Sequence, residues 1–272
     1  MPAPTTRPRF VAAGFLRNTV AAAAATLLLA APGHAQYGPP YSTDTGEQVY
    51  KALASPIRSD DDRARDAYRK PVQTLEYFGL EADMKVLELF PGRGWYTAIL
   101  GQVMKDEGEL YVALGISFLG DRLSKWGFDH VKVVGEGTKL ERDTSAPGFI
   151  FGVENADFEV SDLDMALTFR NMHNVDEAGR RALNAAVFKA LKPGGIYGIV
   201  DHTRRHMEPL HQEVWRRADP VQIIKEALDA GFIFEGWSDL HARPDDELRY
   251  DTARPSIAGN SDRFTFKFKK PE

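Results

Sequence analysis

The chain has 272 residues, 43% hydrophobic and 27% charged, a balance that suits a folded domain with a sizeable core and excludes a disordered polymer. It contains no cysteine, which excludes disulfides, thiol catalysis and cysteine-ligated zinc or iron–sulfur centres. Lysine plus arginine number 34 against 39 aspartates and glutamates, a net charge of −5, so no overall basic field is offered and no nucleic-acid partner is expected.

Arg7, Arg9 and Arg17 are the only charges before Asp44, and the apolar run VAAAAATLLLAA follows at 20–31. Pro32, Gly33, His34 and Ala35 close it. A basic start, a short apolar stretch and small residues make the pattern of a secretory signal peptide. The run is well short of the ~20 residues that span a bilayer, so cleavage after Ala35 and no stable membrane insertion are expected. The mature chain then begins at Gln36 and works in the periplasm or outside the cell. Residues 36–58, which open on QYGPPYSTDTG, read as a linker.

From residue 59 the chain reads as one domain to 272. Ser59 with Asp62 three residues on is a helix N-cap signal, and a helix toward Gly79 is interrupted at Pro71. KVLELF (85–90) is a short apolar run bounded by turn residues, hence a buried strand. PGRG (91–94) turns the chain into an apolar helix at 95–104. Strands follow at 109–114, 131–134 and 164–169. A helix at 176–191 is closed by KPGG, and IYGIV (196–200) is the fifth strand. Asp219, Pro220 and Gly231 supply the N-cap, first-turn proline and terminal glycine of another helix. Strands at 232–237 and 263–268, with no helix between them, predict an antiparallel edge. Segments 115–130 and 141–158 carry little pattern. Strands alternating with helices predict an α/β fold: a Rossmann-like, mostly parallel sheet with one antiparallel strand and helices on both faces.

In such a sheet, ligands sit beyond the carboxyl ends of the strands. Glu88-Leu89-Phe90-Pro91-Gly92-Arg93-Gly94 follows the first strand and opens a helix, where glycines admit a close ligand. A dinucleotide loop would want glycine at 97, where Thr97 stands, which weakens NAD or FAD and leaves open a nucleoside carrying a carboxylate instead of a pyrophosphate. His173 after the fourth strand, and Asp201 and His202 after the fifth, are candidates for proton chemistry. His202, His206 and His211 are spaced for a metal on a helix, but Pro209 and two adjacent arginines argue for a loop, and no metal is expected. Arg204, Arg205, Arg216 and Arg217 read as a charged surface face. Trp95 and Tyr96 are placed near the ligand; Trp126, Trp215 and Trp237 read as core.

Several stretches together resemble the class I S-adenosylmethionine-dependent methyltransferases, specifically an exported "predicted methyltransferase" group. They are RDAYRKPVQTLEYFGL (65–80), KVLELFPGRGWYTAIL (85–100), DMALTFRNMHNV (164–175), LKPGGIYGIVDH (191–202), RRADPVQIIKEALDAGF (216–232) and SDRFTFKFKKP (261–271), most of residues 60–271. The resemblance implies a seven-stranded sheet of order 3-2-1-4-5-7-6 and S-adenosylmethionine as cofactor. It implies cofactor contacts from Glu88, Phe90, Gly92, Gly94, Trp95, Arg170 and Asn171. It implies His173, Asp201 and His202 on the catalytic side, facing a small-molecule substrate. Phe90 stands where that family usually has its first loop glycine. Its second strand normally ends in an acid that binds both ribose hydroxyls; here that residue is Leu114. Losing this contact costs on the order of 1.5–3 kcal/mol, roughly tenfold to a hundredfold in affinity. Glu136 or Glu109 are the residues that could compensate. The departure, with the signal peptide, keeps open a second reading: a non-catalytic ligand-binding protein on a degenerate methyltransferase fold.

Overall fold

The computed structural model describes residues 40–272; the expected signal peptide and its cleavage site lie outside the described residues. The chain order is α1 (Asp44–Leu53), α2 (Asp60–Arg63), α3 (Asp66–Arg69), α4 (Pro71–Phe78), β1 (Lys85–Leu89), α5 (Thr97–Val103), β2 (Glu109–Ala113), α6 (Arg122–Lys125), β3 (Lys132–Val134), β4 (Lys139–Asp143), β5 (Ile150–Glu154), β6 (Leu163–Phe169), α7 (Glu177–Ala190), β7 (Leu191–His202), α8 (Pro220–Asp229), β8 (Ile233–Ser238) and β9 (Arg263–Lys269).

Seven strands form one sheet in the order β3-β2-β1-β6-β7-β9-β8. Counting those seven in chain order, this is the expected 3-2-1-4-5-7-6. β9 runs antiparallel to both its neighbours, β7 and β8, and the remaining pairs are parallel. Parallel strands are buried on both faces, which is why KVLEL carries apolar residues on both. Its side chains alternate between two cores. Val86 packs with α1, α4 and α5 on one face, while Leu87 and Leu89 pack with α7 and α8 on the other.

Local signals seat the helices. The Ser59 hydroxyl accepts from the Asp62 N–H while the Asp62 carboxylate accepts from the Ser59 N–H, the reciprocal cap that the sequence predicts. Asp219 caps α8 through the Val221 and Gln222 N–H groups, with Pro220 in the first turn.

Three expectations are corrected. Residues 44–53, inside the segment read as a linker, form α1, whose Val49 and Ala52 are buried against the core. Thr43 caps it by accepting from Gly46, and the Glu76 carboxylate accepts from the backbone N–H groups of Ser42 and Thr43. The weakly patterned stretch 141–158 holds most of an antiparallel hairpin, β4 with β5, outside the main sheet. Its strands are largely exposed, so hydrophobic alternation had little reason to appear. Finally, KPGG does not lie outside the fifth strand: β7 runs through Leu191–His202, with a register irregularity against β6.

Candidate active site

Three of the strands whose ends face the opening stop on the same backbone device. Phe90 (φ 54°), Leu114 (φ 68°) and Arg170 (φ 63°) directly follow β1, β2 and β6 in the left-handed region. That conformation costs a side-chain-bearing residue about 1–2 kcal/mol, and such strain collects at functional sites. It also explains why a glycine suits the position of Phe90. The Phe90 N–H still donates to Ala113 O at 2.8 Å and the Arg170 N–H to Val200 O at 2.7 Å, so the ladder continues while the chain turns.

The turn after β1 frames a cavity of about 190 Å³ lined by Arg69, Glu88, Phe90, Gly92, Trp95 and Asn171, among others. A Cβ at Gly92 would meet nothing within 4 Å, so its backbone stands open to that space. Glu88 is buried and accepts from the Thr97 hydroxyl at 2.7 Å. Burial pushes its carboxyl up to about 7, and the Thr97 bond opposes part of that rise. The missing third glycine is therefore the partner of the loop's acid. Asn171 donates its amide hydrogens to Phe90 O at 3.2 Å and Phe169 O at 3.0 Å, tying two strand ends together and leaving its Oδ1 without a partner among the described residues. Gly94 does not line this cavity. A Cβ there would meet Leu119 Cδ1 at 2.7 Å and Trp126 Cη2 at 2.8 Å, so its lack of a side chain serves packing. Trp95 is a wall as expected: its Nε1–H donates to Asp62 O at 2.9 Å, and the Arg69 guanidinium lies 4.4 Å from its ring centre. Tyr96 stacks on Phe169 at 3.5 Å.

The ends of β6 and β7 bring the three expected catalytic-side residues together. The buried Asp201 carboxylate accepts from the His173 ring at Nδ1 (2.6 Å), from the His173 N–H (3.0 Å) and from the His202 N–H (2.7 Å). A carboxylate only accepts, so the hydrogen is assigned to Nδ1 and the lone pair of His173 is left on Nε2. His173, His202, Arg170, Tyr68, Ser261 and Arg263 line a second cavity of about 310 Å³. His202 Nδ1 pairs with the Ser261 hydroxyl at 2.9 Å. Burial, then the influence of Arg170, His173, Arg263 and Arg217, hold His202 well below the usual histidine range, so it is neutral at neutral pH.

Other sequence candidates lie apart from this opening. His206 faces Asp219 at 3.0 Å and His211 faces Glu208 at 3.5 Å, and neither joins His202. Arg217 is not a surface charge. It is 1% exposed and pairs with Asp246 at 2.9 and 3.1 Å. Trp237 is not core: it is 66% exposed on β8, an edge strand. Glu109 stands at the amino end of β2, held by Lys132 and Tyr111 at 2.6 Å each, and cannot serve as the missing ribose acid.

The sequence reading missed Tyr68, Arg69, His241, Ser261 and Arg263. His241 is buried; its Nε2 donates to Arg69 O at 2.9 Å and its Nδ1 accepts from the Thr265 hydroxyl at 2.7 Å. Burial pushes it down to about 3, with Arg263 second among the causes. A charge at the head of an apolar strand, as in RFTFKF, was the one signal available for Arg263.

No family model matches the sequence, and no curated protein matches it. Among solved structures, a SAM-dependent methyltransferase from Aquifex aeolicus is similar at a TM-score of 0.52, with 16% identity over 84% of this chain and 99% of its own. A geranyl diphosphate C-methyltransferase from Streptomyces coelicolor A3(2) reaches 0.50, with 13% identity over 85% of this chain and 99% of its own. The fold is that of the class I S-adenosylmethionine-dependent methyltransferases.

The residues fit that cofactor at one end. The open Gly92 backbone, the Asn171 Oδ1, Arg69 and the Trp95 face suit an amino-acid group. The nucleoside end is hydrocarbon instead. Leu114 is buried, and a Cβ at Gly115 would meet Phe90 Cδ1 at 3.8 Å and Phe118 Cδ2 at 3.9 Å. No carboxylate faces that end among the described residues lining the cavity other than Glu88.

Proposed function

We propose that this protein is an S-adenosylmethionine-dependent methyltransferase acting on a small-molecule acceptor in the cell envelope. The observation that carries the reading is the His173–Asp201 pair, set at the ends of β6 and β7 beside the cavity behind Gly92. The envelope location rests on the basic and apolar pattern of residues 1–35 alone.

When bound, S-adenosylmethionine supplies a methyl group on a sulfonium, open to in-line displacement. This chain's residues do the positioning, which such a displacement needs more than acid or base strength. Arg69 takes the donor's carboxylate, Asn171 Oδ1 and the Gly92 backbone take its amino-acid end, and Trp95 shields it. His173 Nε2 accepts a proton from the acceptor's nucleophile. Asp201 fixes the ring's tautomer and stabilises the charge it gains. Neutral His202 adds no competing charge.

Calorimetric titration of the full chain with S-adenosylmethionine and S-adenosylhomocysteine tests the reading. Stoichiometric binding of both is expected, weakened by Gly92→Val, which fills open space and strains the turn at its positive φ of 57°. Silence at millimolar ligand would favour the non-catalytic alternative, which the apolar surroundings of Leu114 and Phe90 support.

A further inference from the structure

Arginines near the opening fall into two groups. Arg58, Arg65, Arg180, Arg216 and Arg217 each face a carboxylate: Asp66, Asp62, Glu226, Asp251 and Asp246. Arg69, Arg170 and Arg263 form no ion pair among the described residues, nor does Arg204 on the far side of His173; the Nε of each is buried without a hydrogen-bond partner, as is that of Arg58, so the missing ion pair is what separates the groups. Arg69 is 6% and Arg263 5% exposed. Arg263 donates through one terminal nitrogen to Tyr68 O at 2.8 Å, and its guanidinium lies 5.4 Å from the Tyr68 ring centre.

A buried cation without a counter-charge is costly, and like charges beside it raise the cost. Here burial pushes Arg263 down to about 10, with Arg170 second among the causes. Arg170 is itself lowered, by burial first and then also by Arg65. Asp201 and Tyr68 favour the charged form of Arg170, but Asp201 forms no ion pair with either arginine among the described residues. Asp201 is fully buried and its oxygens are engaged by His173 and by the His202 N–H. Arg170 and Arg263 both line the 310 Å³ cavity that holds His173, with the Ser261 hydroxyl and neutral His202 as further polar groups. Guanidinium forks match carboxylate and phosphate oxygens with paired hydrogen bonds. The cluster is a charged receptor whose counter-ion comes from outside the chain.

We propose that Arg170 and Arg263 bind a carboxylate or phosphate group carried by the methyl acceptor, an assignment that rests on the methyl-transfer reading above. Arg170 also borders the smaller cavity beside Gly92, so it stands between the two, while Arg69 lines only the smaller one of these two and is left to the donor's own carboxylate. The anion is held in the larger cavity so that the acceptor's nucleophile meets His173 Nε2 while its acidic group anchors at the opposite wall.

The test is a titration of the full chain with inorganic phosphate and with benzoate, each in the absence and presence of saturating S-adenosylhomocysteine. Chloride is held constant, and melting temperatures are recorded alongside. At ten times its Kd, the bound anion raises the melting temperature by about 3–5 °C. Binding persists with S-adenosylhomocysteine present, because the product's carboxylate uses a different arginine. The tighter of phosphate and benzoate identifies the acceptor's acid group. Arg170→Met weakens the anion at least tenfold and raises the melting temperature of the free protein, since it removes an uncompensated cation. Arg170→Lys restores part of the affinity.

Anion binding without S-adenosylhomocysteine binding would keep the receptor and overturn the donor reading. S-adenosylhomocysteine binding without an anion effect would do the reverse. Competition between the two ligands, or an Arg170→Met protein that melts lower and binds phosphate as wild type does, would overturn the proposal.

Discussion

The two halves of the opening handle charge in opposite ways. Toward β1 and β2, the strand ends carry Phe90 and Leu114, and the loop acid Glu88 is buried far enough to be half neutral near pH 7. Toward β6, β7 and β9, the strand ends carry Arg170, Asp201, His202 and Arg263, and polar groups reach the cavity surface. The difference teaches where binding energy can come from. A donor held in the first half relies on its amino-acid end and on aromatic contact. An acceptor held in the second meets pre-placed charges, whose cost the fold carries before any ligand arrives.

The largest expected effect breaks the polar half. Arg217 is tolerated because Asp246 neutralises it and because Tyr250 O and Thr203 O accept two more of its hydrogens at 3.0 Å each. Asp246→Ala strands that charge, and chemical denaturation should show a loss of about 3–5 kcal/mol. A loss below 1 kcal/mol would mean that unpaired arginines are cheap here, and the argument from Arg170 and Arg263 would weaken with it.

Glu88→Gln addresses the other half. The folded-state value of about 7 lies above the ordinary 4.5. The neutral carboxyl's contribution is therefore full below pH 4.5 and is lost as pH rises through about 7. Glutamine does not titrate, so the variant should match wild type at pH 4.5 and exceed it by about 3 kcal/mol at pH 9. Urea denaturation at the two pH values checks this, and a gain independent of pH would show that Glu88 is ionised in the fold throughout.

Leu114→Asp moves the apolar half toward the polar one. Asp tolerates positive φ better than Leu, and the family resemblance puts the ribose contact at this strand end. Affinity for S-adenosylhomocysteine should rise roughly tenfold, about 1.4 kcal/mol, while the free protein loses stability from the buried charge. Unchanged affinity would mean that the nucleoside does not reach the end of β2. The smallest effect belongs to a site outside both halves: Trp237→Ser, on the edge strand, should shift stability by less than ~0.5 kcal/mol and leave ligand binding intact.

The alternation of strands and helices, the loop after β1 and the placing of His173 and Asp201 at one opening were legible in the residues, because parallel strands are written as apolar runs and ligands gather beyond their ends, while the sheet order came with the family resemblance. The role of Gly94 was not. A glycine is silent about whether ligand or neighbour takes the space its side chain would fill, and only the positions of Leu119 and Trp126 answer that. Arg217 and Trp237 failed in opposite directions for one reason. Burial of a single long side chain depends on a partner far along the chain, Asp246 in one case, and on edge position in the sheet in the other.

By itself, then, the sequence determined the layered α/β architecture and which strand ends carry acid, histidine and glycine, since these follow from periodicity and local turn chemistry. Tertiary structure alone decided which charges are compensated. Pairing an arginine requires a carboxylate brought within a few ångströms from a distant segment, and among the described residues the fold supplies one to Arg217 and none to Arg170 or Arg263. That inequality of partners, invisible in composition, makes one cavity of this protein a receptor for an acid.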